Sequence, residues 1–139
     1  TAIVRPPAVY GPRDLAFLPL FQSIRFGIRP VFAGRELPMS LIYVKDLVRI
    51  NLNALDAEKS CVCNAATGKP GNFNEVIEAL NNALKTDLAP DYFDNPYGFY
   101  QNKTQADLRQ AKALLNYRPE WSLADGIADY AAILEKAKI

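Results

Sequence analysis

Hydrophobic positions along the chain follow two alternating periods. Short runs rich in β-branched residues predict strands, and apolar residues spaced by three and four predict helices. The strands are predicted at residues 1–4, 28–32, 40–44 and 61–66, with a weaker pattern at 88–92, and the helices at residues 15–26, 46–55, 72–84, 107–115 and 122–134. This alternation is typical of an α/β protein. No repeat or linker interrupts it, so residues 1–139 are predicted to form one compact unit.

Polar residues at the helix starts predict caps, because a side-chain oxygen there can accept a hydrogen bond from a free backbone N–H group. Glycine just after a helix predicts its end. We expect N-caps at Asp14, Asp46, Asn72, Thr104 and Ser122, capping boxes completed by Glu75 and Asp107, and a helix stop at Gly27.

Two predicted helices carry apolar faces that should be buried. An apolar stripe on a surface helix normally packs against the core. The stripes consist of Leu47, Val48, Ile50, Leu52 and Leu55 in the second helix, and of Leu108, Ala111, Leu114 and Leu115 in the fourth.

Residues 5–13, Arg-Pro-Pro-Ala-Val-Tyr-Gly-Pro-Arg, end the first predicted strand abruptly. Proline lacks a backbone donor and fixes φ, so a central strand must end at Pro6 and Pro7. Open α/β proteins place their ligands at such a strand end, beside a stiff loop. Arg5 and Arg13 flank the loop, where a guanidinium group would either bind a phosphate or pair with a nearby carboxylate. The stretch therefore predicts a ligand edge, and a phosphate-bearing small molecule is one class of ligand that the net charge leaves open.

Composition narrows the function classes. The net charge of the 139 residues is +1, which gives no reason to expect binding to nucleic acid or to an anionic membrane, and no apolar run is long enough to span a bilayer. The chain has no histidine, which excludes serine-histidine and cysteine-histidine hydrolase machinery within it. Cys61 and Cys63 lack further metal-binding neighbours, so we expect no metal site and two reduced thiols in a cytoplasmic protein.

Four fragments, in this order, carry a family resemblance. They are residues 5–13, Ile-Tyr-Val-Lys-Asp-Leu-Val at 42–48, Cys-Asn-Ala-Ala-Thr-Gly at 63–68, and the pair Leu-Asn-Tyr-Arg-Pro at 115–119 and Leu-Ala-Asp-Gly-Ile at 123–127. Together they resemble the C-terminal half of the extended short-chain dehydrogenase/reductases, the NAD-dependent epimerase and dehydratase family. The segment Gly-Phe-Tyr-Gln-Asn-Lys-Thr-Gln-Ala-Asp-Leu at 98–108 is most similar to the heptose 6-epimerase branch.

The resemblance implies a fold and a site. The fold would be the end of a Rossmann-type parallel sheet plus a small mixed α/β substrate-binding domain. Backbone groups of Pro7 and Val9 would contact the nicotinamide of NAD or NADP in the parent protein. Ala8, Arg13 and Tyr100 would contact a nucleotide-sugar, with an ADP-sugar the preferred substrate. The parent enzyme would oxidise the sugar transiently and return the hydride to the opposite face.

The sequence departs from the family in three ways. Neither the Gly-rich dinucleotide loop nor a Tyr-x-x-x-Lys pair occurs in these 139 residues, so we expect no catalytic residue, no bound cofactor and no turnover in this chain alone. Ala8 replaces the asparagine usual in the family, and no lysine lies near Ala16 and Phe17. These replacements favour an alternative, an NAD(P)-dependent reductase of a small or apolar substrate. A non-catalytic nucleotide-binding or assembly module is a second alternative.

The first predicted strand also bears on assembly. It normally lies inside a parallel sheet, and an exposed strand edge can pair with another chain. We therefore expect a homo-oligomer.

Overall fold

The computed structural model describes residues 1–28, 31–33, 37–93 and 103–137. Strands and helices are mixed along these residues, which is the α/β pattern that the sequence predicts. The strands are β1 (Ala2–Arg5), β2 (Ala8–Tyr10), β3 (Val31–Ala33), β4 (Leu41–Tyr43), β5 (Cys61–Asn64) and β6 (Asp91–Phe93). The helices are α1 (Leu18–Arg25), α2 (Val44–Leu55), α3 (Phe73–Leu84), α4 (Arg109–Leu115) and α5 (Leu123–Lys136).

The strands pair in parallel, two by two. β1 pairs with β5, β2 with β4 and β3 with β6. Pro6 and Pro7 end β1, as predicted, because they cannot donate to the β5 ladder. The sequence reading missed β2, since the chain resumes strand geometry at Ala8 and pairs there with a different strand. The proline pair thus moves the chain from one sheet to another.

Two hydrophobic clusters meet at β4. Leu41 and Tyr43 belong to a cluster with α1, α3 and α5, whereas Ile42 belongs to a cluster with α2, β5 and α4. Successive side chains of a strand point to opposite faces. All three β4 side chains are buried because each face of this strand is covered by one of the clusters.

Several predicted helix ends are confirmed. Asn72 accepts a hydrogen bond from the Glu75 N–H, and the Glu75 carboxylate accepts one from the Asn72 N–H, which forms the expected capping box. The Ser122 hydroxyl caps α5, and Gly27 follows α1 with a φ of +72°. Asp14 accepts bonds from the N–H groups of residues 16 and 17, but α1 itself begins only at Leu18, where Pro19 fits its first turn.

Three predicted N-caps, at Asp14, Asp46 and Thr104, are wrong, and the capping box expected from Thr104 and Asp107 does not form. The N-cap of α1 is Phe17. Asp46 lies in the first turn of α2, after the N-cap residue Tyr43, and is fully buried rather than at the surface. Thr104 binds Ser40 instead of capping a helix, and α4 begins later, at Arg109. At Asp46 and Thr104 a tertiary hydrogen bond takes the side-chain oxygen that sequence spacing assigned to a local cap.

Part of the predicted apolar stripes is exposed. Ile50, Leu108, Ala111 and Leu115 are buried as expected. Leu47 is partly buried against the cluster around Ile42. The other large members, Val48, Leu52, Leu55 and Leu114, are each about half or more exposed, which contradicts the expected burial. The part of the chain that the structure describes therefore leaves one side of α2 without an apolar partner.

The two cysteines are free thiols, as expected. Both belong to β5, two residues apart and therefore on one face of the strand. Burial, followed by a hydrogen bond with Cys61, raises the pKa of the Cys63 thiol. Cys63 is completely buried, which is typical of a small apolar core residue.

Candidate functional site at the carboxyl ends of the strands

The predicted cofactor-binding residues, Pro7 and Val9, lie on either side of Ala8 where the chain passes from β1 to β2. Pro7 and Val9 are half-buried, whereas Ala8 is exposed. Val9 packs against the cluster around Ile42, its partner in the β2–β4 register. The structure thus brings the three residues together at the carboxyl end of β1, which is the edge where parallel sheets bind ligands.

A tight turn follows β2 and presents Arg13. The Asp14 N–H donates to the Gly11 carbonyl at 3.0 Å, and Arg13 has a φ of +73°. Proline followed by a residue with positive φ is typical of a type II turn. The second of its two central residues, here Arg13, is usually glycine. Arginine in this left-handed conformation is strained by on the order of 1 kcal/mol. Strain of this kind is often found at functional sites, which is compatible with the predicted role of Arg13.

Gly11 fixes this turn against α2. A Cβ atom at Gly11 would lie 2.6 Å from Val44 Cγ1 and 2.8 Å from Tyr43 Cε2, and its φ is +135°. No other residue type fits both the space and the backbone angle. The turn therefore cannot move away from β4 without opening the packing of the first turn of α2.

Tyr10 supports the turn from below. It is 2% exposed, its hydroxyl donates to the Leu123 carbonyl at 3.4 Å, and its ring lies 5.2 Å from that of Tyr43. Burial is the main cause that raises the pKa of both phenols, so they stay protonated at neutral pH. Tyr10 therefore packs under the loop and does not act as an acid-base group.

An open groove adjoins the same edge. Arg5 at the end of β1 and Asn64 at the end of β5 line it, together with Asp107 and Arg109. The Asn64 amide donates to the Asp107 carbonyl at 3.2 Å, and Arg109 pairs with the Asp107 carboxylate. Among the described residues, neither Arg5 nor Arg13 makes an ion pair, so both guanidinium groups are available to an anion.

Tyr100 lies outside the described residues, so its predicted substrate contact stays a prediction. The segment that begins at Thr104 is held by hydrogen bonds to residues 38–40. The Thr104 N–H donates to the Pro38 carbonyl at 3.0 Å, the Ser40 N–H donates to the Thr104 hydroxyl at 3.0 Å, and the Ala106 N–H donates to the Ser40 hydroxyl at 3.0 Å. Sequence reasoning missed the role of Ser40, because a single serine before a strand gives no signal of a partner 64 residues away.

Sequence reasoning also missed the buried carboxylate of Asp46. It accepts hydrogen bonds from the N–H groups of Glu120 (3.1 Å) and Trp121 (3.1 Å). Burial raises its pKa, while the Trp121 N–H and the charge of Arg49 lower it. Arg49 also pairs with the Glu120 carboxylate and donates to the Arg118 carbonyl. Asp46 therefore ties the segment before α5 to α2, which is a structural role.

Two further features bear on function in the described residues, namely whether metal-binding side chains cluster and whether a helix could span a membrane. No group of three or more cysteine, aspartate, glutamate or histidine side chains lies close enough together there to hold a metal ion. In the same residues, no helix is both long and apolar enough to cross a bilayer.

Comparison with known proteins shows which proteins this chain is similar to. The chain is 32% identical to the ADP-L-glycero-D-manno-heptose-6-epimerase of Brachyspira hyodysenteriae over an alignment of 143 positions, which covers 93% of this chain and 44% of the relative. UDP-glucose 4-epimerase from Thermotoga maritima, solved with UDP-glucose, superposes with a TM-score of 0.86 at 26% identity, over 99% of this chain and 47% of that one. No family model matches the chain.

A third similar protein was solved with a cofactor bound. UDP-glucuronic acid 4-epimerase from Bacillus cereus, solved with NAD and a fluorinated UDP-sugar, superposes with a TM-score of 0.85 at 24% identity, over 98% of this chain and 45% of that one. The chain is homologous to the carboxyl-terminal part of the extended short-chain dehydrogenase/reductase epimerases. The family and the α/β fold class predicted from the sequence are therefore confirmed. The chain spans a little less than half the length of the relatives it matches.

Proposed function

We propose that residues 1–139 form one unit, the substrate-binding part of an NAD(P)-dependent nucleotide-sugar epimerase. The observation that carries the proposal is the chain switch at Pro6 and Pro7, which exposes Ala8 at a parallel strand end. Along the sequence, Ala8 is flanked by Arg5 and Arg13, each of which follows or ends a strand and pairs with no described carboxylate. The similarity to epimerases that bind nucleotide-sugars supports the same assignment.

Arg13 and Arg5 would bind the diphosphate of the substrate. Two guanidinium groups at one edge can each donate two parallel hydrogen bonds to phosphate oxygens. Ala8 offers a small exposed surface against the sugar. Tyr100 would stack on the base or the sugar, which suits an aromatic side chain.

The residues between β1 and β2 fit a nicotinamide. Pro6 and Pro7 lack N–H groups, so their carbonyl oxygens are the polar groups that the backbone offers to a carboxamide NH2. The half-buried Val9 side chain gives an apolar wall beside them. When bound, the cofactor supplies a reversible hydride acceptor. Pro7 and Val9 would hold it in place, and no proton transfer is assigned to either residue.

Calorimetric titration of the purified chain with ADP-, UDP- and GDP-sugars tests the substrate class. We propose that ADP-sugars bind most tightly, because the Brachyspira relative is an ADP-heptose epimerase. Arg13→Ala should weaken binding at least tenfold, whereas Lys59→Ala, an exposed control far along the chain, should not. Equal weak binding of all three sugars, or none, would count against the proposal.

A reductase of a small substrate is the second candidate function, favoured by the exposed Ala8. The two candidates separate when the chain is joined to a dinucleotide-binding part. An epimerase interconverts sugars without net consumption of NADPH, whereas a reductase oxidises it stoichiometrically. The purified chain alone is expected to bind ligands but to show no turnover.

We further propose a cytoplasmic homo-oligomer. Cofactor-dependent sugar-nucleotide chemistry uses metabolites of that compartment, and two free thiols suit a reducing environment. Sedimentation equilibrium over a range of concentrations tests assembly, and a monomeric mass at the highest concentration would contradict it.

A further inference from the structure

Ser40 makes three hydrogen bonds to a segment that begins 64 residues later in the chain. The residue lies just before β4 and is 7% exposed. Its hydroxyl donates to the Thr104 carbonyl at 3.2 Å and accepts from the Ala106 N–H at 3.0 Å, while its own N–H donates to the Thr104 hydroxyl at 3.0 Å. A serine hydroxyl has a single donor, and Ser40 uses that donor on this segment.

Ser40 lies at the junction of the two strand pairs that form the ligand edge. Leu41, the next residue, pairs with Ala8 at the start of β2. The Thr67 N–H, just after β5, donates to the Leu41 carbonyl at 3.2 Å. The ends of β1 and β5 and the starts of β2 and β4 therefore meet beside Ser40.

Residues 104–107, which we call the strap, cross this junction. At one end the strap bonds to Ser40, and at the other the Asn64 amide, at the end of β5, donates to the Asp107 carbonyl at 3.2 Å. The strap is only about 10 Å long even when fully extended, so it links the two strand pairs over a short distance. None of its residues belongs to a strand or a helix. It is therefore held mainly by these side chains rather than by a regular ladder of backbone bonds.

The strap forms a wall of the open groove beside Arg5. Its Asp107 lines this groove together with Arg5, Asn64 and Arg109, and the groove has a volume of about 560 Å³, which is within the range of small-ligand sites. The Asp107 carboxylate pairs with the Arg109 guanidinium at 2.6 Å, whereas Arg5 makes no ion pair among the described residues. A shift of the strap would therefore change the width of the groove beside a guanidinium group that is available to an anion.

We propose that Ser40 is a positioning residue for ligand binding. It holds the strap against the junction of the strand pairs and so keeps the groove beside Arg5 at the width that a phosphate-bearing ligand needs. Ser40 is buried and would act through the strap rather than by contact with the ligand. The inference rests on the proposed function for the nature of the ligand, but not for the attachment of the strap.

Two substitutions test this role through ligand affinity. Ser40→Ala removes the hydroxyl, and Thr104→Val removes the oxygen that accepts the Ser40 N–H while keeping the shape of the side chain. In calorimetric titration with ADP-glucose, each variant should bind more weakly than the parent chain by about fivefold or more, as the loss of a buried hydrogen bond predicts. Thr104→Ser keeps the hydroxyl and should bind as the parent chain does.

Ser23→Ala is the matched control, because the Ser23 hydroxyl donates to the Pro19 carbonyl within α1 at 2.8 Å and makes no bond to the strap. Each titration is carried out well below the melting temperature of the variant. A residue that only stabilises the fold would lower that temperature and leave the affinity of the folded chain unchanged. That result for Ser40→Ala would overturn the proposal, and so would equally weak binding by Ser23→Ala.

Amide hydrogen exchange tests the attachment of the strap without any ligand. The Thr104 N–H donates to the Pro38 carbonyl rather than to Ser40, so its exchange reports on the strap as a whole. It should exchange about tenfold faster in Ser40→Ala than in the parent chain. Unchanged exchange would overturn the proposal, even if the affinity falls. Faster exchange in the variant, together with a parent chain that binds no nucleotide-sugar, would support the attachment of the strap and contradict the proposed function alone.

Discussion

The carboxylate of Asp46 accepts a hydrogen bond from the backbone N–H of Trp121 at 3.1 Å, across 75 residues of sequence. This bond and those to the Glu120 N–H connect the start of α2 to the segment that leads into α5. The family motif aspartate is thus a tertiary anchor. It ties α2, which packs in one hydrophobic cluster, to the segment that leads into α5, which packs in the other.

Removal of this anchor should destabilise the fold strongly. Asp46→Ala leaves two partly buried N–H groups without an acceptor and Arg49 without the buried carboxylate beside it, which costs about 3 kcal/mol. Urea denaturation followed by circular dichroism measures the loss. Asp56→Ala, at the exposed C-cap of the same helix, should change the free energy of unfolding by less than about 0.5 kcal/mol. Similar values for the two variants would contradict the anchor role.

Gly126 in α5 should reject even a methyl group. A Cβ atom there would lie 2.3 Å from the Tyr10 hydroxyl oxygen and 3.0 Å from Tyr43 Cγ. Glycine to alanine normally stabilises a helix by about 1 kcal/mol, so the sign of the change is diagnostic. We expect Gly126→Ala to destabilise by about 1–3 kcal/mol because of overpacking. Adding Tyr10→Phe, which removes the clashing oxygen, should recover part of the loss in a double-mutant cycle.

Arg13 should show opposite effects on stability and on binding. Its φ of +73° suits glycine, so Arg13→Gly should keep the stability or raise it by up to about 1 kcal/mol. The same substitution removes the guanidinium and should weaken binding of an ADP-sugar. Thermal denaturation and calorimetry on the same sample measure both effects. A variant that binds as tightly as the parent chain would exclude Arg13 from the ligand site.

Asp129 should contribute to the acid sensitivity of the fold. The Lys45 ammonium at 2.7 Å and a hydrogen bond from the Tyr43 hydroxyl hold the pKa of Asp129 below its ordinary value of 3.8. A carboxyl whose pKa is depressed on folding stabilises the protein above its unfolded pKa, and this stabilisation is lost as the pH falls through the folded value. The free energy of unfolding should therefore decrease below about pH 4 partly because of this group.

Asp129→Asn tests that assignment. The variant should be less stable at neutral pH and should lose less stability between pH 5 and pH 2.5 than the parent chain. Lys45→Met should flatten the same acid limb, because it removes the main cause of the depressed pKa. Parallel acid limbs for the parent and both variants would show that other carboxyl groups control acid denaturation.

Local signals in the sequence predicted local structure well. The capping box of Asn72 and Glu75 and the cap at Ser122 are confirmed, because each forms within one helical turn. β2 was missed, since three residues after a proline pair carry no strand period of their own. Thr104 was misassigned because its partner, Ser40, is distant in sequence.

The sequence predicted the exposure of the candidate site residues, whose ligand contacts stay a prediction, but it did not predict the residues that support them. The exposed position of Ala8 and Arg13 at a strand end follows from proline chemistry, which acts locally. The buried anchor at Asp46 could not be predicted, since no sequence pattern reveals which backbone groups a distant loop brings to a carboxylate. The apolar stripe of α2 was recognised, but its burial was expected within these residues, where the structure leaves it exposed.

The proline pair between β1 and β2 limits how the molecule can bend. Two consecutive residues have fixed φ angles, so rotation at this joint depends on ψ alone. The β1–β5 and β2–β4 pairs should consequently move as coupled bodies when a ligand binds. A chimera of two related enzymes should therefore join their sequences either before β1 or after the turn at Arg13. If the two sequences were joined between β1 and β2, the chimera would take β1 from one enzyme and β2 from the other. It would then lack the proline pair that fixes the orientation of the two strands relative to each other.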